Sequence, residues 1–393
     1  MAGPLQGLKI LDFTTLLPGP YATMLLADMG AEVLRIVSPS RPDLVDFFPP
    51  FVPGTKLSAA AAHLGRNKRN MALNLKDPRA IAVVHRLLMD YDVVIEQFRP
   101  GVMAKLGLDY EALAKVNPRV VYCSITGYGQ TGPLVDRAGH DINYIARSGV
   151  SSYTGKKASG PSLVSMQIAD VASGSNHAVI GILAAVFGRQ QTGKGQSVDI
   201  SMTDGMIAFN AMFGAAFLVD GKEPGFEGNL LNGGSLYDYY ETKDGRYLSC
   251  GPLEPQFFAN FCNTLGRPDL IDAGVSPKNV AQVKEEVRAI FRTKPLAEWV
   301  ALFKATDACT EPVLTLGEAF ADPLAAEREM VVEVPLPAGG TVRQLGCPIK
   351  FSATKPEFRH TGVPTGSDTK AVLREAGYSD AEIGKMEEAG LFR

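Results

Sequence analysis

The 393-residue chain sets 39 Lys and Arg against 42 Asp and Glu, for a formal net charge of -3, with 46% hydrophobic and 21% charged residues. That composition is globular, which excludes a disordered or fibrous chain, and the length predicts two or three domains at roughly 100–200 residues each. The near-neutral balance and single Trp argue against a nucleic-acid surface, and the clearest apolar stretch, 178–188, falls short of the ~20 residues of a membrane span. No basic segment followed by an apolar run opens the chain. Five scattered cysteines (Cys123, Cys250, Cys262, Cys309, Cys347) show no CxxC spacing, which argues against a disulfide framework or a zinc site. A cytoplasmic enzyme, with no nucleic-acid or membrane partner, is the expectation.

In chain order, 8–13 reads as a strand, Pro18-Gly19-Pro20 as a turn leading into a helix over 21–29, and 32–37 as the next strand, which together make one βαβ unit. Helical patterns at 78–89, 110–115 and 171–190 precede apolar runs at 92–96, 119–125 and 197–200. Strands alternating with helices predict an α/β fold with a parallel sheet, whose ligands bind beyond the carboxyl ends of the strands. The texture changes near Gly221. Lys243-Asp244-Gly245 predicts a hairpin between 236–240 and 246–250, followed by helices at 255–265, 281–292 and 295–306. These form a smaller α+β domain over 225–320, between a first part at 1–220 and a last part at 321–393. Ala338-Gly339-Gly340 marks a second hairpin, and a helix is expected at 380–388.

The chain has no GxGxxG after its first strand, and no P-loop, GxSxG elbow or HExxH, so nicotinamide, ATP, serine-hydrolase and zinc-peptidase chemistry lack support. Positive charge collects instead at turns: Arg66-Asn67-Lys68-Arg69, expected in a loop, then Phe98-Arg99 after a strand, and Lys105-Leu106. These suit a polyanion or simply a solvated surface. His140, in Gly139-His140-Asp141-Ile142-Asn143-Tyr144, is either a catalytic base or a helix-end residue. Asp170 and Glu254 each sit where a helix begins, so each reads either as a catalytic carboxylate or as an N-cap.

As a set, the motifs Leu17-Pro18-Gly19-Pro20, Gly30-Ala31-Glu32-Val33, Asn67-Lys68-Arg69, Phe98-Arg99-Pro100-Gly101, Thr192-Gly193-Lys194-Gly195-Gln196 and Asp307-Ala308-Cys309 resemble the family III CoA-transferases. That group includes formyl-CoA transferase, carnitine CoA-transferase and α-methylacyl-CoA racemase, and the likeness runs from Leu5 to Ile383. The resemblance implies a Rossmann-like large domain built from both chain ends, a small inserted domain and an interlocked homodimer. It also implies acyl-CoA and a carboxylic acid as substrates, with no tightly bound cofactor and no metal. CoA is then expected against Leu16, Leu17, Arg35, Lys68, Arg69, Phe98, Arg99, Lys105 and Leu106.

By the same resemblance Asp170 is the carboxylate nucleophile, with Gly233 and Gly234 as possible backbone donors to the oxyanion. His140 and Glu254 resemble the racemase branch, in which His140 and Asp170 would face opposite sides of the acyl α-carbon. Against that branch, Val171-Ala172-Ser173-Gly174-Ser175 lacks its Phe and glycine run. A CoA transfer, an α-proton transfer and a non-catalytic subunit of a heteromeric transferase therefore stand as alternatives. Leu17, with Met202, Met206 and Phe209, favours a larger or less polar acid.

Overall fold

The alternating pattern of the first 200 residues folds as six parallel strands: β1 (Lys9–Asp12), β2 (Glu32–Val37), β3 (Lys68–Ala72), β4 (Val93–Glu96), β5 (Val121–Thr126) and β6 (Ser197–Ser201). Their order across the sheet is 3-2-1-4-5-6, all neighbours parallel. The interior strands β4 and β5 are buried at every position, which is why they read as continuous apolar runs. The winding reverses between β1 and β4, and at such a switch point the loops beyond the two strands part to leave a crevice.

This computed structural model describes residues 3–392. They divide into two units. The first takes the chain up to Arg147, Val164–Phe209 and everything from Pro323 onward; the second holds Ser148–Leu163 and Asn210–Asp322. The second unit thus begins earlier than the expected 225 and gathers in a segment of the first part, 148–163.

Helix α1 (Pro18–Asp28) starts with prolines in its first turn, where a missing N–H removes no helix hydrogen bond, and all but Tyr21 of its residues are buried. Helix α2 (Pro78–Leu88) is capped by the Asp77 carboxylate and turns Ala80, Val83, Val84, Leu87 and Leu88 inward. Helix α3 (Asp141–Arg147) follows β5. The helix expected at 171–190 is two elements in line, a π-helix over Ala169–Asn176 and α4 (His177–Thr192). Joined, 169–192 is long and apolar enough to cross a bilayer by length and composition alone. Ala178, Ile182 and Ala185 are nevertheless buried, and Arg189 in the last turn is paired with Asp92 at 2.9 Å. Helix α5 (Met202–Ala208) directly follows β6.

The outermost strand β3 would present an open edge. The returning C-terminal segment covers it. Asp368 accepts from the Asn70 N–H at 2.8 Å, Thr369 accepts from the Ala72 N–H at 3.0 Å, and the Asp368 N–H donates to the Asn70 carbonyl at 3.0 Å.

In the second unit the Asp-Gly hairpin forms between Asp238–Glu241 and Tyr247–Cys250, with Gly245 at a φ of +71°. Tyr240, Phe261, Phe291, Trp299 and Phe303 build its core, where the Trp299 indole donates to the Phe291 carbonyl at 2.8 Å.

Candidate active site

The loop after β1 and the turn after β4 flank the switch-point crevice. Leu16 adopts a φ of +61°, a strained choice for a non-glycine residue, and its N–H is held by the Asp43 carboxylate at 3.0 Å. Asp43 also pairs with the Arg35 guanidinium, so one acid organises both Arg35 and the Leu16–Leu17 loop. Across the crevice the Gln97 side chain accepts from the Gly19 N–H at 3.0 Å, and the Glu96 carboxylate accepts from the Phe98 N–H at 2.8 Å. Burial pushes Glu96 up to about 7.

Past this turn Phe98 packs partly against the core, Leu106 is half-buried, and Arg99 and Lys105 are exposed. Among the described residues neither cation is in an ion pair, and the same holds for Lys76, just beyond β3. Lys76 is not among the sequence expectations; its place after a strand end is the signal that adds it as a candidate.

Lys68 and Arg69 are a different matter, because the expected loop there is strand β3 and both residues stand at its amino end. The Lys68 ammonium is fully buried and has three partners: Thr23 Oγ1 at 2.6 Å, the Pro20 carbonyl at 2.8 Å and Asp12 at 3.4 Å. Burial lowers it to about 8. With three donors and three acceptors, nothing remains for a ligand phosphate. Arg69 is spent in a bidentate pair with Glu375 at 2.6 and 2.9 Å. Arg66, from the same run, is buried against Asp28 at 2.6 and 2.9 Å. Lys68 and Arg66 hold the fold together and Arg69 is engaged at the surface, whereas Arg99, Lys105 and Lys76 are free to meet an anion.

Asp170 lies in the first turn of the π-helix. It is not the cap. The Asp141 carboxylate accepts from the N–H groups of Ala169 at 2.7 Å and Asp170 at 3.0 Å, and so takes the role that the sequence offered to Asp170. Among the described residues, the Asp170 carboxylate has no hydrogen bond or ion pair. Burial and the neighbouring Asp141 charge raise it to about 6, against a smaller opposing pull from His140.

His140 is exposed and sits directly before α3, where its N–H donates to Asn143 at 3.0 Å. Tyr144 anchors this corner. Its hydroxyl donates to the Gly139 carbonyl at 2.6 Å, and a Cβ at Gly127 or Gly139 would lie 2.4 or 2.7 Å from its ring. The capping role of Asp141 is not among the sequence expectations, and its place beside the only histidine of the motif is the available signal.

Glu254 and the paired glycines belong to the second unit. Glu254 is exposed at the N-cap position of the Pro255–Leu265 helix, yet its side chain makes no capping bond. The Gly234 N–H already donates to the Asn229 carbonyl at 2.8 Å, so the expectation that it serves an oxyanion does not hold for this conformation. Gly233, at a φ of +98°, offers its carbonyl to Lys284 at 2.7 Å.

Exposed, unpaired cations beyond the strand ends and a half-buried, unpartnered carboxylate suit covalent chemistry on an anionic acyl compound. The family model described as CoA-transferase family III matches residues 5–369. Human alpha-methylacyl-CoA racemase is 35% identical over 96% of this chain and 95% of the relative. Human succinyl-CoA:glutarate CoA-transferase is 33% identical over 99% and 90%. The crystal structure of a CAIB/BAIF family protein from Brucella suis superposes with a TM-score of 0.85 at 29% identity, covering 96% of this chain and all of that one.

Proposed function

This chain belongs to CoA-transferase family III, and from that premise we propose that it moves CoA from an acyl-CoA thioester to a free carboxylic acid, with Asp170 as the nucleophile. One observation carries the reading: Asp141 performs the helix capping, which leaves the Asp170 carboxylate unpartnered and more basic than usual.

The Asp170 carboxylate attacks the thioester carbonyl and expels CoA thiolate, forming an acyl-aspartyl anhydride. The thiolate attacks the Asp170 carbonyl, releasing the donor as its free acid and leaving an aspartyl-CoA thioester. The acceptor carboxylate attacks that thioester to give a second anhydride and thiolate. The thiolate then takes the new acyl group and regenerates Asp170. A carboxylate is a weak nucleophile, so its raised proton affinity favours attack. Arg99, Lys105 and Lys76 are the cations assigned to the CoA phosphates, and the Leu16–Leu17 loop lies against the acyl arm.

A second reading, α-proton exchange by His140 and Asp170 as a two-base pair, draws on His140 being near enough for its charge to act on Asp170, and on the racemase relative. A cytosolic location and an interlocked homodimer belong to the proposal too. Phe187 and Ile180 in the first unit and Leu218 and Val219 in the second are exposed apolar side chains that such a dimer would cover.

Succinyl-CoA, acetyl-CoA and a 2-methylacyl-CoA, each incubated with and without glutarate or oxalate in deuterated water, separate the readings. Acid-dependent new CoA esters, with a hydroxylamine-sensitive adduct at Asp170, are expected. Asp170→Ala should lose both, with turnover down by roughly a thousandfold or more. Acid-independent deuterium uptake abolished by His140→Ala would establish the racemase instead.

A further inference from the structure

Ser175 has no part in the chemistry above, yet its fully buried hydroxyl shares its one proton between two carbonyls in a three-centre bond, Pro18 at 2.6 Å and, more weakly, Asp170 at 3.1 Å. Asp170 lies five residues earlier, one wide π turn back. Pro18 opens α1 immediately after Leu17. A π register is rare and recurs at functional sites. Here it is closely confined, because a Cβ at Gly174 would stand 3.2 Å from Pro18 and 3.1 Å from Met202. Beyond Pro18 the contacts continue, since the Gly19 N–H is held by Gln97, next to Phe98 and Arg99. One hydroxyl thus ties the backbone of the nucleophile to the loop between it and the cationic turn.

We propose that Ser175 is a positioning residue for acyl transfer: its hydroxyl fixes the Asp170 backbone relative to the Leu16–Leu17 loop, and so sets the approach of the carboxylate to the thioester. This rests on Asp170 being the nucleophile. Ser173 supplies an internal control. It is equally buried in the same π-helix, and its hydroxyl donates to the Met202 carbonyl at 2.7 Å, away from Asp170.

The test compares Ser175→Ala, Ser175→Cys, Ser173→Ala and Asp170→Ala in the full chain, using the acyl-CoA and acid pair that turns over in the panel above. Near-attack geometry is steeply distance-dependent, so Ser175→Ala should lower kcat by roughly tenfold to a hundredfold and slow adduct formation at Asp170 in parallel. KM for the acyl-CoA should stay within about twofold, because the cations that bind CoA are untouched. Ser173→Ala should lose a similar amount of melting temperature while keeping kcat within about twofold. Ser175→Cys keeps the site filled with a weak donor and repeats the kcat loss if the alanine variant is too unstable to purify. Wild-type kcat in both Ser175 variants, or an equal kcat loss in Ser173→Ala, overturns the inference. An active Asp170→Ala enzyme overturns the premise instead, whatever Ser175 does.

Discussion

Two sets of cations that look alike in the sequence differ completely in the folded chain. Lys68 and Arg66 lie inside, each on a buried carboxylate, and Arg35 is nearly as deep against Asp43. Arg99, Lys105 and Lys76 lie outside, exposed and unpaired among the described residues. The difference teaches that a basic run is not yet a phosphate site. What decides is whether an acid elsewhere in the chain has already claimed the charge, and Asp12, Asp28 and Asp43 have done so for the inner set.

The largest expected effect comes from Lys68→Met, which strands Asp12 in the core without its ammonium. A broken buried pair costs about 3–5 kcal/mol, read as a lower urea midpoint. A stable Lys68→Met protein with a raised KM for acyl-CoA would break the distinction and return Lys68 to the ligand site. Arg99→Ala and Lys105→Ala should behave in the opposite way. Each is expected to raise KM for acyl-CoA about tenfold, as for the loss of a charge-assisted contact, with stability changed by less than about 0.5 kcal/mol. Lys76→Ala sharpens the outer set by showing whether it extends along the sheet as far as β3.

The contrast recurs among the carboxylates. Asp12 accepts from Thr14, Thr23 and Lys68, whereas Asp170 accepts from no group among the described residues. Turnover should therefore rise with pH through about 6 and level off above, as Asp170 ionises. The stability effect has the reverse sign. A carboxyl whose folded value is raised favours the native state below its ordinary value near 3.8, and this contribution is lost as pH rises through about 6. Asp170→Asn should accordingly melt higher than the parent at pH 8, with the gap closing towards pH 4. The smallest effect belongs to Arg69→Ala. Its exposed pair with Glu375 is worth about 0–1 kcal/mol, and KM should not move beyond about twofold.

Much of the fold was legible because it rests on local signals. Pro20 near a helix start, Asp244-Gly245 in a hairpin and the apolar runs of β4 and β5 each declare themselves within a few residues. Asp170 and the Phe98-Arg99 turn stand out as candidates because they follow directly from motif and strand end, and the fold leaves the Asp170 carboxylate and the Arg99 guanidinium without an ion pair among the described residues. The fates of Lys68 and Arg69 were not legible, since their partners Asp12 and Glu375 stand 56 and 306 residues away. Nor was the exchange of roles at the π-helix. An acid before a helix reads as its cap, and only the fold brings Asp141, 29 residues upstream of Asp170, to perform that task. The segment 148–163 joined the second unit for a similar reason: its Gly155–Lys156 and Gly160–Pro161 pairing is too short to announce itself in sequence.

The covering of β3 by the last part of the chain has a consequence for synthesis. Asn70 waits for Asp368, 298 residues later, before its amide is satisfied. At about 5–20 residues per second, that interval is roughly 15–60 s on the ribosome. Throughout it the emerging chain carries an unpaired strand edge that any other strand could claim. Whatever shields that edge during translation, whether a chaperone or the neighbouring segments of the nascent chain, governs the yield of active enzyme as surely as any residue in the crevice.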